Sequence, residues 1–267
     1  MALSLHFDRY PGKDNSPSAP ALIILHGLFG FSGNWRSIAR SLSNDRDVLC
    51  VDLRNHGQSP WNDAMDYSSM ADDIAELIRV NDLVDPVLLG HSMGGKTVMA
   101  LMLETRISLT AAVVVDIAPV TYEHDHIDLI NTMLAVDFSI IANRGEVDES
   151  LKRTIPDAGL RGFLMQNVVR GDDSDKYPYR WRIHLEGIKR NMDALTGFPS
   201  TEGADERPVL FVRGGKSPYM ASQHIPAVER LFPNAEVRTI ENAGHWPHAE
   251  QPRALLDLVQ DFLARVK

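Results

Sequence analysis

The stretch Val87-Leu-Leu-Gly-His-Ser-Met-Gly-Gly95 decides how the rest of this chain is interpreted. It begins with a short apolar run typical of a buried strand, and a helix-compatible stretch follows from Lys96 to Glu104. Between the two lies the pattern G-x-S-x-G. In a strand-to-helix elbow with this pattern, the serine (here Ser92) occupies a strained turn that lifts its hydroxyl above the edge of the sheet. The stretch therefore predicts a nucleophilic serine at a helix N-terminus, where unpaired N–H groups favour developing negative charge.

The two glycines of the pattern, Gly90 and Gly94, fit the same elbow. We expect a side chain at either position to collide with the neighbouring strand or helix. The pentapeptide alone is a weak signal, because small residues occur in many turns. The interpretation therefore requires a base, an acid and an oxyanion hole elsewhere in the chain.

Length, composition and charge indicate an ordinary soluble globular protein. The chain has 267 residues, of which 44% are hydrophobic and 24% charged, enough for one sizeable core with an insertion. The net charge of -9 argues against nucleic acid or an anionic membrane surface as the main partner. The N-terminus does not resemble a signal peptide, and no apolar run approaches the roughly 18 residues of a membrane span. We expect a cytoplasmic protein, either a monomer or a homodimer.

Neither the cysteine nor the paired histidines predict a metal or a cofactor. The single cysteine, Cys50, excludes an intrachain disulfide and fits a reducing compartment. It lies in an apolar stretch, which indicates a small buried side chain on a strand rather than a nucleophile. His124 and His126 form an isolated H-x-H pattern, which on a polar helix is typical of solvated side chains. No metal site is expected.

Short apolar strands alternate with helical stretches along most of the chain, which indicates βαβ units and a mostly parallel sheet. Strands are predicted at residues 3–7, 21–25, 48–52, 87–90, 110–116, 208–212 and 236–240. The capping-box pattern Ser69-Met-Ala-Asp72 predicts a helix from Ser69 to about Leu83. Gln251-Pro252 opens a final amphipathic helix.

The alternation stops between residues 120 and 200, where the pattern is helical and amphipathic and no convincing buried strand is present. We interpret residues 120–200 as a helical cap, and residues 1–119 together with 201–267 as the core domain. A cap inserted before the last strands would cover the C-terminal strand ends, which is where open α/β sheets place ligands.

The predicted base is His245. A serine hydroxyl is a poor nucleophile until a neighbouring imidazole takes its proton. Of the ten histidines, only His245 follows Ser92 in a Gly-containing loop after the last sheet strand. We expect His224 and His248 to be surface residues.

Two places in the sequence could supply the acid that pairs with His245. After the strand at 208–212 a Gly-x-x-Asp pattern is usual, but this chain has Ser217 at the position of the aspartate. The other accessible place is the end of the strand at 110–116, which holds Asp116. A buried aspartate needs a partner, and a histidine N–H would supply one, although a capping role is the alternative. We assign the acid to Asp116, with Ser217 in support.

The predicted oxyanion hole and substrate contacts come from His26-Gly-Leu-Phe-Gly30, from Met93 and from two tryptophans. The backbone N–H groups of Met93 and Leu28 are the expected donors, with Phe29 as the alternative to Leu28. We expect His26 to hold the loop in place and Gly27 to permit its bend. We place His26, Gly27, Trp181 and Trp246 around the substrate, although cap aromatics such as Trp181 alternatively pack the core of the cap.

These motifs, in this order, resemble the α/β-hydrolase superfamily over essentially the whole chain, and within it the YbfF-type bacterial esterases. The telling segments are Arg54-Asn-His-Gly-Gln-Ser59, Val115-Asp-Ile-Ala-Pro119, Arg213-Gly-Gly-Lys-Ser-Pro-Tyr219 and Tyr179-Arg-Trp-Arg182. The resemblance implies the α/β-hydrolase fold, with helices flanking the sheet. It also implies hydrolysis of short acyl esters or acyl-CoA thioesters, with Ser92, His245 and Asp116 catalytic and Ser217 assisting.

Several alternatives stay open at this stage. A basic segment could meet the phosphates of CoA, or it could be a solvated helix face; it comprises Lys176, Arg180, Arg182, Lys189 and Arg190. A C–C bond hydrolase or a haloperoxidase-like enzyme would use the same fold, although the former usually has an aspartate at the position of Ser217. A non-catalytic binding module is the alternative from another class.

Overall fold

The computed structural model describes residues 2–13, 19–104, 107–123, 126–172, 175–199 and 203–266. The strands of these residues are β1 (Phe7–Tyr10), β2 (Leu22–Leu25), β3 (Val48–Val51), β4 (Val87–His91), β5 (Ala111–Val115), β6 (Val168–Arg170), β7 (Tyr179–Trp181), β8 (Val209–Gly214) and β9 (Ala235–Ile240). Seven of them form one sheet in the order β1-β3-β2-β4-β5-β8-β9, in which β1 alone runs antiparallel to its neighbour. The predicted mostly parallel sheet is confirmed.

Helices of the described residues cover both faces of this sheet, and five of them lie between β5 and β8 in the chain. The helices are α1 (Arg36–Leu42), α2 (Tyr67–Val80), α3 (Met93–Glu104), α4 (Ile127–Leu134), α5 (Arg144–Lys152), α6 (Ala158–Leu164), α7 (Leu185–Arg190), α8 (Met192–Thr196), α9 (Ile225–Leu231), α10 (Pro247–Glu250) and α11 (Pro252–Arg265). Within the described ranges, no helix is both long and apolar enough to cross a membrane.

The inner strands are buried on both faces, as their unbroken apolar runs predict. On β2, Ile23 and Leu25 belong to the apolar cluster beneath α2 and α3, whereas Leu22 and Ile24 belong to the cluster beneath α1 and α11. Cys50 is fully buried on β3, as expected. Two apolar layers therefore hold the sheet rigidly and fix the positions of its C-terminal strand ends.

The predicted bounds of the first strand and of helix α2 are wrong. β1 begins at Phe7, and the Leu3 N–H donates a hydrogen bond to the Asp73 carboxylate instead of joining a strand. Helix α2 begins at Tyr67, because the carboxylate of Asp66 caps it by accepting a hydrogen bond from the Ser69 N–H at 2.7 Å. Ser69 therefore lies inside the helix, which ends at Val80 rather than near Leu83.

The segment between β5 and β8, called the inserted segment here (residues 120–199), contains α4 to α8 and one hairpin. The sequence showed no convincing buried strand here, and the two strands present among the described residues, β6 and β7, are only partly buried and pair antiparallel. Each strand has three residues, which is too short for a period-two pattern to show. The boundary predicted at residue 200 lies outside the described residues, and the division into core and cap stays a prediction.

Side chains join the inserted segment to the C-terminal edge of the sheet. The Asn167 amide donates to the carbonyl oxygen of Phe29 at 2.7 Å, and the Tyr67 hydroxyl donates to that of Leu195 at 2.6 Å. The inserted segment is thus attached directly to the loop that follows β2 and to helix α2.

Candidate active site

Ser92 lies between the last residue of β4 and the first residue of α3. Its backbone φ of 52° is in the left-handed region, which is strained for a residue with a side chain. A Cβ added at Gly90 would lie 2.2 Å from the Gly94 carbonyl oxygen, and one added at Gly94 would lie 2.5 Å from that of Leu25. The collisions expected from the sequence are present, and they explain the glycines on either side of the serine.

His245 lies in the loop after β9, and its ring reaches two groups. Its Nε2 is 3.1 Å from the Ser92 hydroxyl oxygen, and its Nδ1 is 2.8 Å from Oδ2 of Asp116. Because a carboxylate only accepts hydrogen bonds, Nδ1 carries the hydrogen and Nε2 presents a lone pair to the serine. This arrangement can remove a proton from the hydroxyl.

Asp116 follows β5, is fully buried and has three hydrogen-bond donors. Its Oδ1 accepts the Gly214 N–H at 2.8 Å, and its Oδ2 accepts hydrogen bonds from both His245 and the Ser217 hydroxyl. These hydrogen bonds offset part of the cost of burying the carboxylate. The structure thus brings Ser92, His245, Asp116 and Ser217 together at the C-terminal ends of neighbouring strands.

Two backbone N–H groups beside Ser92 are available to a ligand. Among the described residues, the N–H groups of Leu28 and Met93 have no hydrogen-bond acceptor. The alternative donor, Phe29, is excluded because its N–H donates to Nε2 of His56 at 3.2 Å. The geometry therefore favours Leu28 over Phe29 as the partner of Met93.

Two buried histidines hold the loop that carries Leu28. His26 donates from Nδ1 to the Gly27 carbonyl at 2.8 Å and accepts the Leu53 N–H on Nε2 at 3.0 Å. His56 accepts the Phe29 N–H on Nε2, so its Nδ1 donates to the Arg54 carbonyl at 3.0 Å. Burial lowers the pKa of His26 to about 4 and that of His56 to about 3, so both rings are neutral at pH 7. The predicted holding role of His26 agrees with these contacts, and His56 is a second such residue that the sequence analysis missed.

Two cavities have Ser92 in their walls, and a groove shares lining residues with the larger of them. A main cavity of about 190 Å³ has Ser92 and His245 in its wall, together with His26, Gly27 and Trp246. An inner cavity of about 50 Å³ lies on the Met93 side of the serine. An outer groove of about 680 Å³ extends from the main cavity past Trp246, between α6 and α10.

Trp181 lies elsewhere, and we remove it from the candidate site. Its indole N–H donates to the Met133 carbonyl at 3.0 Å, and its ring packs edge-on against Phe138. The residue is 9% exposed and belongs to the packing of the inserted segment. The alternative stated above, that cap aromatics pack the core of the cap, is correct for this residue.

The histidines that were expected at the surface are at least partly buried. His248 stacks on Trp35 with ring centroids 4.4 Å apart and lines the main cavity, and burial lowers its pKa to about 3. His224 is half-buried, with Nδ1 3.1 Å from the Tyr219 carbonyl oxygen. His126 lines the main cavity, and His124 lies outside the described residues. Within the ranges that the structure describes, no three His, Cys, Asp or Glu side chains are grouped to hold a metal ion.

Two further residues at the site were missed. His91 donates from Nε2 to the carbonyl oxygen of His245 at 2.7 Å and so holds the base loop. Lys96 lines the inner cavity and is 1% exposed. A signal for Lys96 was present in the sequence, since a residue four positions after Ser92 on a helix shares its face.

The basic segment of the inserted residues is largely occupied by other contacts. Arg180 pairs with Asp175 and Arg190 pairs with Asp63, whereas the Arg182 guanidinium lies 3.6 Å from the centre of the Phe31 ring. None of the five cations borders the main cavity, the inner cavity or the outer groove as the described residues form them. The predicted contact with CoA phosphates gains no support from this arrangement.

The elbow serine, the parallel sheet and the hydrogen-bonded histidine and aspartate define a hydrolase of the α/β class. Residues 20–252 match the family model of the alpha/beta hydrolase fold, and the chain belongs to that family. It is 38% identical to the sn-1-specific diacylglycerol lipase ABHD11 of Xenopus laevis, over 98% of this chain and 84% of that protein. It is 33% identical to the esterase YbfF of Escherichia coli strain K12, over 94% of each chain.

A solved structure gives the same result. The esterase of a marine microorganism matches with a TM-score of 0.91 at 36% identity, over 98% of this chain and 100% of that one. The resemblance inferred from the motifs, and the fold that it implied, are confirmed.

Proposed function

We propose that the protein is a serine esterase that cleaves short acyl esters through a covalent intermediate on Ser92. The observation that carries this proposal is the unbroken line of hydrogen bonds from the Ser92 hydroxyl through His245 to Asp116. The names of the relatives, which are esterases and a lipase, support an ester as the substrate. The intact line of contacts also favours catalysis over a binding module.

The chemistry follows from the positions of the groups. His245 takes the hydroxyl proton as Ser92 attacks the acyl carbon, and the N–H groups of Leu28 and Met93 bind the oxyanion that forms. His245 then gives the proton to the leaving alcohol, while Asp116 stabilises the imidazolium. Water enters by the same route and releases the acid from Ser92.

The position of His245 supports one orientation of the substrate at Ser92. Because His245 must protonate the leaving oxygen, the alcohol lies on its side of Ser92, towards the main cavity and the outer groove. The acyl chain then points to the opposite side, into the inner cavity of about 50 Å³. One water molecule needs roughly 10–15 Å³, so this cavity has room for about four non-hydrogen atoms and favours short acyl groups.

The test is hydrolysis of p-nitrophenyl acetate and butyrate by the wild type and by Ser92→Ala. We expect nitrophenol release by the wild type and loss of at least about 10³-fold in the variant, because the nucleophile is gone. Ser222→Ala removes an exposed hydroxyl and serves as the matched control. Activity that survives in Ser92→Ala would show another nucleophile. A wild type that neither hydrolyses these esters nor reacts at Ser92 with a fluorophosphonate would contradict the proposal.

A further inference from the structure

Lys96 is a buried amine in the wall of the inner cavity, beside the proposed nucleophile. It lies one turn after Ser92 on α3, and its backbone N–H donates to the Ser92 carbonyl oxygen at 3.0 Å. Residues four apart lie on the same face of a helix, and helical side chains lean back towards the N-terminus. The lysine stem therefore runs along the face of α3 from which Ser92 projects.

The ammonium group has neutral neighbours. Its Nζ donates to the carbonyl oxygens of Thr196 at 2.9 Å and Gly197 at 2.5 Å. The rings of Tyr122 and Tyr67 have their centres 4.8 and 5.5 Å from Nζ. Among the ion pairs of the described residues, none includes Lys96.

This arrangement leaves both a charge and a donor for a ligand. An ammonium has three N–H donors, and the two carbonyl groups accept two of them. A buried cation without an anionic partner is unfavourable, and burial lowers the pKa of Lys96 to about 7. A carboxylate in the inner cavity would complete the hydrogen bonds and neutralise the charge.

We propose that Lys96 binds a carboxylate at the far end of the acyl group, so that the enzyme prefers half-esters of short dicarboxylic acids such as succinate. This inference rests on the proposed esterase function, since it assigns the acyl group to the inner cavity. The inner cavity, of about 50 Å³, is small, so few carbon atoms can separate the carboxylate from the reacting carbonyl.

The first test compares two esters with the same alcohol, benzyl hydrogen succinate and benzyl levulinate. Levulinate has the length of succinate but ends in a neutral methyl ketone. We expect the wild type to have the higher kcat/KM for the succinate half-ester. Lys96→Met should lower kcat/KM for this substrate by about 10- to 100-fold, and for levulinate by less than about threefold. Lys152→Met removes an exposed lysine of the inserted segment and should change neither value.

The pH dependence of the substrate preference distinguishes recognition of the carboxylate charge from recognition of the acyl group's shape. The titratable groups that face the ammonium are Tyr67 and Tyr122, through their rings, while His126 and Tyr219 also line the inner cavity. Burial raises the pKa of Tyr67, Tyr122 and Tyr219, so these phenols stay neutral. The ratio of kcat/KM for the succinate half-ester to kcat/KM for the levulinate ester removes the pH dependence of groups that serve both esters equally. In the wild type this ratio should fall as pH rises through 7. In Lys96→Arg the ratio should stay constant with pH.

A binding measurement makes the inference independent of turnover. We expect isothermal titration of succinate into Ser92→Ala to show binding, and into Ser92→Ala with Lys96→Met to show none. Succinate binding without ester hydrolysis would contradict only the proposed function. Hydrolysis with equal losses for both esters in Lys96→Met, or with levulinate preferred by the wild type, would overturn the role of Lys96 and leave the esterase intact.

Discussion

Ser217 and His245 donate hydrogen bonds to the same atom, Oδ2 of Asp116. The serine hydroxyl comes from the loop after β8, and the carboxylate comes from the end of β5, the neighbouring strand. The charge that orients His245 thus comes from β5, and the loop after β8 contributes a neutral donor to it. We therefore expect Asp116 and Ser217 to contribute unequally to catalysis.

Asp116→Asn should lower kcat by about 10⁴-fold, as the equivalent change does in serine proteases, because the amide favours the wrong His245 tautomer. Ser217→Ala should lower it by about tenfold or less, because Asp116 keeps the Gly214 N–H and His245. Steady-state kinetics with p-nitrophenyl butyrate measure both changes. A larger loss in Ser217→Ala than in Asp116→Asn would contradict the assignment of the acid.

Ser92→Gly should be more stable than Ser92→Ala, although both variants lack the hydroxyl. The φ of 52° at this position strains any side chain, whereas glycine adopts it freely. We expect a difference of about 1 kcal/mol in the free energy of unfolding, measured by urea denaturation. Equal stabilities would show that the elbow holds no strain.

Gly90→Ala should prevent folding or destabilise the protein by more than about 3 kcal/mol. The new Cβ would meet the Gly94 carbonyl oxygen at 2.2 Å, and that backbone belongs to α3. Gly162→Ala is the matched control, because nothing lies within 4 Å of its Cβ and it lies within α6. The control should gain about 0.5–1 kcal/mol in thermal or urea unfolding. Similar effects of the two changes would contradict the collision.

Stability should fall as pH drops below 6.5, because His26 and His56 are held neutral in the folded state. Their folded pKa values, about 4 and about 3, lie below the ordinary value of 6.5, so the unfolded chain binds more protons in this window. Each ring should remove about 1 kcal/mol of stability between pH 7.5 and 5.5. Above about pH 7.5 their contribution is complete and constant.

His56→Gln tests this assignment, since it keeps an acceptor for the Phe29 N–H but has no titrating group. Urea unfolding at pH 7.5 and 5.5 should show a decrease in stability that is about 1 kcal/mol smaller than in the wild type. An unchanged pH dependence would mean that His56 titrates alike in both states.

The parts of the site that follow from chain order could be predicted from the sequence. Ser92, Asp116 and His245 each end or follow a strand of a parallel sheet, and such ends meet at one edge. The sequence analysis preferred Leu28 to Phe29, but it could not supply the reason, which is the ring of His56, 27 positions away from Phe29.

The environments of residues that depend on tertiary packing could not be predicted from the sequence either. The helical spacing places Lys96 on the same face as Ser92, but it does not predict the burial of the ammonium, which depends on carbonyl groups of the inserted segment. Trp181 and His248 lie in environments that differ from the expected ones for the same reason. Their surroundings come from α4 and from Trp35, which are distant in the chain.

The inner cavity and the outer groove have no lining residue in common among those that the structure describes, and in the proposed reaction they hold the two halves of the ester. In the proposed reaction, the alcohol occupies the side from which water must reach the acyl carbon, so it has to depart before deacylation begins. The acid would remain in the inner cavity and depart last. The free acid should therefore compete with fresh ester, whereas added alcohol should intercept the acyl-enzyme and divert it into transesterification.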